Sequence, residues 1–79
     1  MSHVPHELPE EFPDKIELMH DLKMNDAHFQ RLSEEYHELN RQIHRVETGI
    51  EPTSEQFETE LRKKRLHLKD EIASMLASA

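Results

Sequence analysis

A chain of 79 residues makes at most one small domain, and one core of this size rarely yields more than about 3–5 kcal/mol of net stability. The composition is 34% charged and 34% hydrophobic with one glycine and no cysteine, which suits helices that bury one stripe and excludes disulfides as reinforcement. The net charge of −7 opposes broad binding to nucleic acid or anionic lipid, and no apolar run approaches the ~20 residues that cross a membrane.

The first element is a proline-bearing stretch that predicts a mobile tail over residues 1–12. Pro5 and Pro9 each remove a backbone donor and disfavour helix at the preceding residue. The stretch also lacks the basic start and apolar middle of a signal peptide, so we expect a cytoplasmic location. The folded domain is expected over residues 13–77.

A short helix is predicted next. Pro13 suits a first helical turn, and residues 14–23 are helical in composition. Asn25 and Asp26 are good N-cap residues, so a second helix can begin there. The same heptad frame also permits one continuous helix over residues 14–48, bent at Asn25, and the sequence leaves both alternatives open.

The strongest periodic signal lies in the long helix predicted over Asp26–Thr48. Apolar residues there follow a strict 3-4 spacing, which is the a/d seam of coiled-coil-like packing. Such a seam needs another helix to cover it, so the pattern predicts an all-α architecture. The seam residues are Phe29, Leu32, Tyr36, Leu39, Ile43, Val46 and Ile50.

The only glycine of the chain predicts the end of this helix. Gly49 follows the periodic stretch, where glycine takes a positive φ without strain, and Pro52 prevents continuation. Thr53 and Gln56 match a capping box. A third helix is therefore predicted over Ser54–Leu76.

Two long helices of equal length joined by a short turn predict an antiparallel helical hairpin. The short N-terminal helix is expected to pack on this hairpin or to extend it. The third helix has a second apolar stripe on another face, which the first helix or another subunit should cover. We therefore expect a homodimer forming a four-helix bundle, with a tetramer as the alternative. The main stripe contains Phe57, Leu61, Leu68, Ile72 and Met75, and the second contains Leu66, Ala73 and Ala77.

Histidines offer the only metal-binding pattern. His37 and His44 share a helix face, and Glu34 or Glu47 could join one of them. One imidazole and one carboxylate make a weak site, so we assign no metal ligand and no cofactor. The chain shows no catalytic constellation, and we expect no enzyme activity.

One basic run, residues 62–65, lies in the third helix. Four consecutive helical residues point around the whole circumference, and the favourable pairs Glu58–Arg62 and Glu60–Lys64 predict a salt-bridged, solvated surface. The alternative is an RNA contact through Arg62, Lys63 and Arg65, which the overall charge makes unfavourable.

The residue pattern over about 14–76 resembles the YdcH-like family, small bacterial proteins classed as a domain of unknown function. This resemblance implies a bacterial cytosolic helical hairpin and implies no activity. The longer proline-bearing N-terminus departs from the family pattern. The resemblance rests on Leu22-Lys23-Met24-Asn25-Asp26-Ala27-His28-Phe29, Leu32, Tyr36-His37-Glu38-Leu39, Ile43-His44, Glu47, Gly49, Pro52-Thr53-Ser54, Leu61, Arg65-Leu66, Leu68-Lys69-Asp70-Glu71 and Met75-Leu76.

Polar residues at the open end of the hairpin form the candidate partner-docking site. Asp26 and His28 begin the long helix, and Asp70 and Glu71 lie near the end of its antiparallel partner. The resemblance draws attention to these polar side chains, which a generic coiled coil would not need, and which form either a helix cap with a few cross-helix hydrogen bonds or a partner-docking site. The sequence thus indicates a non-enzymatic protein–protein interaction or regulatory module that self-associates. The alternative is a histidine-based metal-binding or metal-responsive protein, and an RNA-associated protein is the third hypothesis.

Overall fold

A computed structural model describes residues 5–50 and 52–79. These residues contain helices and turns and no strand. The two longest helices pack against each other in antiparallel order, which confirms the predicted all-α hairpin. The elements are α1 (Leu8–Glu11), a 3₁₀ turn (Pro13–Lys15), α2 (Ile16–Asn25), α3 (Ala27–Glu47) and α4 (Glu55–Ser78).

The break between α2 and α3 resolves the question that the sequence leaves open. Asp26 has an extended conformation, with φ −130° and ψ 109°, and its carboxylate accepts hydrogen bonds from the backbone N–H groups of His28 and Phe29 at 2.9 and 3.1 Å. A side chain that satisfies two of the free donors at a helix start favours a new helix over a bent continuous one. The chain therefore turns at Asp26, and α2 packs against α3.

The turn after α3 is built on Gly49, as the sequence predicts. Gly49 has φ 79°, its N–H donates to the carbonyl of Val46 at 3.1 Å, and the N–H of Ile50 donates to Arg45 at 3.0 Å. This pair of hydrogen bonds is a Schellman motif. The cap of α4 differs from the predicted Thr53–Gln56 box, since Ser54 is the N-cap and its hydroxyl accepts from Phe57 N at 3.1 Å.

The heptad seam of α3 forms the core. Phe29, Tyr36 and Ile43 are fully buried, as is Ile72 of α4, and all four belong to one core cluster. Ile50 is the exception: it is 74% exposed because it follows Gly49 and has left the helix. The main stripe of α4 also differs from the prediction, and each departure lies near an end of the helix. Phe57 is 46% exposed, while Leu76 is buried and Met75 is only partly so.

The second apolar stripe of α4 is not covered within the described chain, because Leu66 is 59% exposed. The predicted first helix corresponds to α2, which lies elsewhere, against α3. The predicted covering by the first helix is therefore wrong for Leu66, and covering by another subunit stays a prediction.

The N-terminal segment, defined here as residues 5–12, packs on the hairpin, which differs from the predicted mobile tail. Leu8 is 6% exposed and belongs to the core cluster. Of the two prolines that indicate a tail, Pro9 instead lies in the first turn of α1, where a missing N–H costs nothing, and the carbonyl of Pro5 accepts a hydrogen bond from Asn40. Pro13 begins the 3₁₀ turn, at the helix start predicted for it. Residues 1–4 of the predicted tail lie outside the described residues.

Candidate functional site

A buried polar pair on α3 receives the N-terminal segment. The hydroxyl of Tyr36 donates to the carbonyl of His6 at 2.6 Å, and Nδ2 of Asn40 donates to the carbonyl of Pro5 at 2.8 Å. Both side chains are almost completely buried, at 0% and 1% exposure. Burial of a polar group is costly unless it is hydrogen-bonded, so these two contacts hold the main chain of the segment in one position.

α4 orients the Asn40 amide. Tyr36 and Asn40 are one helical turn apart and thus share a face of α3. Nη1 of Arg65 donates to Oδ1 of Asn40 at 3.0 Å. Because Oδ1 accepts from a guanidinium, the NH₂ group must point towards the segment, where a carbonyl accepts its hydrogen bond. Contacts from α3, α4 and the N-terminal segment thus converge on this amide.

Charged side chains surround the buried pair. Oε1 of Glu11 lies 3.0 Å from His6 Nδ1 and 3.5 Å from Lys69 Nζ, and Oε2 of Glu7 lies 3.1 Å from His37 Nδ1. The segment therefore supplies two carboxylates, and the hairpin supplies basic groups opposite them. We define the acceptor face as Tyr36, His37, Asn40, Arg65 and Lys69. The name means that this face receives the segment, although Tyr36 and Asn40 donate the hydrogen bonds.

These surroundings shift two pKa values in the site. Burial raises the pKa of Tyr36 to about 12, assisted by the negative charge of Glu11 and opposed by Arg65. For Glu11, burial pushes the pKa upward, but the hydrogen bond with His6 and the charge of Lys69 outweigh it, and the pKa lies below its ordinary value of 4.5. The phenol thus stays protonated and donating at neutral pH, while the carboxylate stays ionised.

The backbone of the segment is strained at one residue. His6 has φ 65°, a left-handed conformation that a non-glycine residue seldom adopts. This conformation accompanies the presentation of two successive carbonyls, those of Pro5 and His6, to two donors of α3. Such a strained residue persists only where surrounding contacts hold it.

The residues predicted at the open end do not form one cluster. Asp26 shares a shallow cavity with Ser74, Met75 and Ser78 of the last turn of α4. Glu71 pairs with His67 on its own helix, at 2.9 Å. Asp26 and His28 remain together as cap and capped residue, whereas Asp70 and Glu71 precede the residues of α4 that meet Asp26.

The structure shows how the histidines of the metal-binding hypothesis are placed. His37 pairs with Glu7, and among the described residues no three histidine, aspartate or glutamate side chains are placed to hold a metal ion. The histidine-based alternative with His44 stays a prediction, which calorimetric titration with zinc tests.

The basic run does not form one surface. Arg62 pairs with Glu58 and, at 3.0 Å, with Glu47. Lys63 lies 3.8 Å from Glu60, in place of the predicted Glu60–Lys64 pair, and Arg65 turns inward to Asn40. Three of the four cations therefore already face acceptors within the chain.

A second surface is the α3–α4 groove, lined by Glu34, Glu35, Glu38, Leu39, Gln42, Lys64 and Leu68. Its cavity has a volume of about 470 Å³ and continues past Lys64 into a cavity beside Phe57 and Leu61. The α3 side carries carboxylates and the α4 side carries lysine. This groove holds no residue of the N-terminal segment, so it is open.

The family relationship of this chain is found in the same hairpin that bears both surfaces. A family model described as a protein of unknown function, DUF465, matches residues 29–76. The chain belongs to this family. YdcH-like proteins are members of it, so the resemblance seen in the sequence is confirmed. The matched range covers most of α3 and α4 and excludes the N-terminal segment and α2.

Two other comparisons add nothing to the family assignment. No curated protein and no solved structure matches the chain. Within residues 5–50 and 52–79, none of the helices combines the length and the apolar character that a membrane crossing requires. The family relationship names no reaction, so the site has to be interpreted from its own chemistry.

The residues at the centre of the acceptor face were missed by sequence reasoning. The seam pattern assigns Tyr36 to the core alone and gives Asn40 no role. The sequence carries no signal that distinguishes Asn40, because exposed polar residues such as Glu35 and Glu38 also lie beside seam residues. The burial of Asn40 accompanies its contacts with Pro5 and Arg65, which lie outside α3.

Proposed function

We propose that this protein is a non-enzymatic interaction module that self-associates through the α3–α4 groove, forming a homodimer that packs as a four-helix bundle. The opposite charges on the two sides of the groove carry the proposal. Small domains without disulfides commonly gain stability from oligomerisation. Phe57, 46% exposed beside the groove, supplies apolar area that a second copy would bury.

The charge pattern selects one arrangement of two copies. A two-fold axis parallel to the helices places α3 of one copy against α4 of the other, so that Glu34, Glu35 and Glu38 meet Lys64. A two-fold axis perpendicular to the helices places α3 against α3 and sets carboxylates against carboxylates. Electrostatic complementarity therefore favours the first arrangement, in which neighbouring helices run antiparallel.

Sedimentation equilibrium at micromolar concentration tests self-association. The wild-type protein should sediment as a dimer, and a clean monomer would overturn the proposal. A tetramer would show that a further face participates.

Charge reversal tests the arrangement. Lys64→Glu and Glu38→Lys should each weaken the dimer, since each places like charges together. An equimolar mixture of the two variants should restore association, because both of the symmetry-related contacts between positions 38 and 64 in the mixed dimer then join opposite charges. Lys15→Glu is the matched control for Lys64→Glu: it changes the net charge equally on the 3₁₀ turn, outside the groove. Equal weakening by the control would show a net-charge effect without a specific contact.

A further inference from the structure

We propose that the acceptor face is a peptide-binding site and that the N-terminal segment is its resident, releasable ligand. The partner that fits the site is a short acidic peptide with a leucine anchor, which displaces the segment. This inference rests on the proposed function as an interaction module but uses the face opposite the α3–α4 groove. The two surfaces can therefore fail or succeed independently.

Main-chain recognition is the first step of the argument. Tyr36 and Asn40 donate only to backbone carbonyls of the segment. Every residue of a peptide carries such a carbonyl, so these two donors accept any chain that presents two successive carbonyls at this position. A pair of buried donors aimed at a segment's backbone is the arrangement that peptide-binding sites use for affinity without strict sequence dependence.

Charge and shape determine the kind of peptide. The acceptor face presents His37, Arg65 and Lys69, and the resident segment answers with Glu7 and Glu11. Leu8 enters the core between these two carboxylates in sequence. An occupant therefore needs a leucine or similar apolar residue flanked by acidic residues, in a turn of helix.

The resident segment is held loosely enough to be exchanged. Its ion pairs are partly exposed, with side-chain exposures of 47% for His37 and 35% for Lys69, and such pairs contribute little against solvent screening. His6 adds a left-handed backbone conformation. Leu8 is the only fully buried residue of the segment, and Phe12 packs against the core while staying partly exposed. One buried apolar anchor, a partly buried Phe12, two carbonyl contacts and screened ion pairs describe a ligand that a partner can replace.

The family model covers the acceptor face but not the segment that occupies it. Tyr36, Asn40 and Arg65 all lie within the matched residues 29–76, whereas residues 5–12 precede that range. The acceptor face thus lies within the part of the chain that the family model matches, and the segment precedes it. A covalently attached occupant competes at a high effective concentration, so free peptide should bind the intact wild-type chain weakly.

The test uses the full-length protein and a fluorescein-labelled peptide of residues 3–14, followed by fluorescence anisotropy. Leu8→Asp in the protein places a charge at the buried anchor and should release the segment. This variant should bind the labelled peptide at least ten-fold more tightly than the wild type does. Leu66→Asp is the matched control, since Leu66 is exposed on α4, and it should bind the peptide as the wild type does.

Two further variants show which groups bind. Adding Asn40→Ala to Leu8→Asp should reverse the gain in affinity, since a carbonyl contact is lost. A peptide that itself carries aspartate at the Leu8 position should not bind. Should Leu8→Asp lose helicity, Leu8→Ala, which introduces no charge, takes its place and the same ten-fold comparison decides.

The outcomes distinguish this inference from the proposed function. A helical Leu8→Asp variant that still dimerises but does not bind the peptide at millimolar concentration overturns the peptide site and leaves self-association standing. Peptide binding by a monomeric protein supports the peptide site and overturns the dimer. Equal binding by the Leu66→Asp control would also overturn the inference, because binding would then not require release of the segment.

Discussion

The ionisation of Tyr36 gives a direct measure of the buried site. Tyr36 is the only tyrosine of a chain without tryptophan, so the phenolate absorbance in alkaline solution reports this one group. Its pKa lies at about 12 in the folded protein, against an ordinary value of 10.0. A group whose pKa is raised on folding contributes stability that is fully present below pH 10 and is lost as the pH rises to about 12.

The magnitude follows from the same shift. Each pKa unit corresponds to about 1.4 kcal/mol, so ionising Tyr36 in place should remove on the order of 2–3 kcal/mol of folding free energy. For a small domain this is a large part of the total. The ionisation is therefore expected either near pH 12 or together with the loss of helix.

The assay is an absorbance titration with circular dichroism recorded on the same samples. In concentrated urea the midpoint should fall near the ordinary value of 10.0, and in native buffer it should lie about two units higher. A midpoint near 10 in a sample that retains its full helix signal would refute the reasoning, because it would show a hydrated phenol.

A variant that displaces the segment sharpens the test. The hydroxyl of Tyr36 donates to the carbonyl of His6, so release of the segment by Leu8→Asp exposes the hydroxyl to water and moves Glu11 away. The midpoint should then return towards 10 while the helix signal remains. Leu66→Asp should leave it at the wild-type value.

Four further predictions concern stability and its pH dependence. Ile43→Asp should unfold the protein in circular dichroism, because it buries an unpaired charge at a position with 0% exposure. Gly49→Ala should cost about 1–2 kcal/mol in urea unfolding, from its φ of 79° alone, since a Cβ meets no atom within 4 Å, and Gly49→Asn should cost less. Asp26→Ala should cost about 1 kcal/mol in the same assay, through loss of the α3 cap. The lowered pKa of Glu11 contributes stability above pH 4.5 that is lost as the pH falls through its folded value, so the difference in urea stability between wild type and Glu11→Gln should shrink in acid.

The parts of the fold that the sequence predicts are those determined by local chemistry. The a/d spacing identifies Phe29, Tyr36 and Ile43 as core because a helix repeats its face every 3.6 residues, and all three are fully buried. Gly49 ends α3 because the left-handed conformation strains any residue with a Cβ. In both cases the structure of a residue is determined by neighbours that are close to it in sequence.

The register of the hairpin was harder to predict, since it depends on the length of the turn. Asp26 precedes Gly49 by about as many residues as separate Ser54 from Ser78, and these two ends meet in the structure. The predicted docking site instead brings Asp26 to Asp70, about two helical turns before Ser78. An error of two helical turns moves a polar side chain by roughly 12 Å along the axis, at ~1.5 Å per residue. A sequence therefore predicts which helix faces meet in a hairpin more reliably than which residues lie opposite each other.

The N-terminal segment could not be predicted, because its contacts are long-range. Pro5 and His6 contribute main-chain carbonyls, which carry no sequence signature. Asn40 lies 35 residues after Pro5, and Tyr36 lies 30 residues after His6. Proline and acidic residues indicate a tail when each is considered singly. The segment docks because Tyr36 and Asn40 of the hairpin donate hydrogen bonds to its carbonyls.

The identity of those two residues argues for recognition over stability. A buried hydrogen bond adds only about 0.5–1.5 kcal/mol, whereas a buried carbonyl left without its donor costs about 1–3 kcal/mol. Phenylalanine and leucine in place of Tyr36 and Asn40 could complete an apolar core only if the segment were displaced, since its two carbonyls would lose their donors. What they could not do is hold the carbonyls of Pro5 and His6 in one place. The polar pair thus specifies where a peptide lies on the hairpin, and Arg65 fixes the direction in which Asn40 offers its donor.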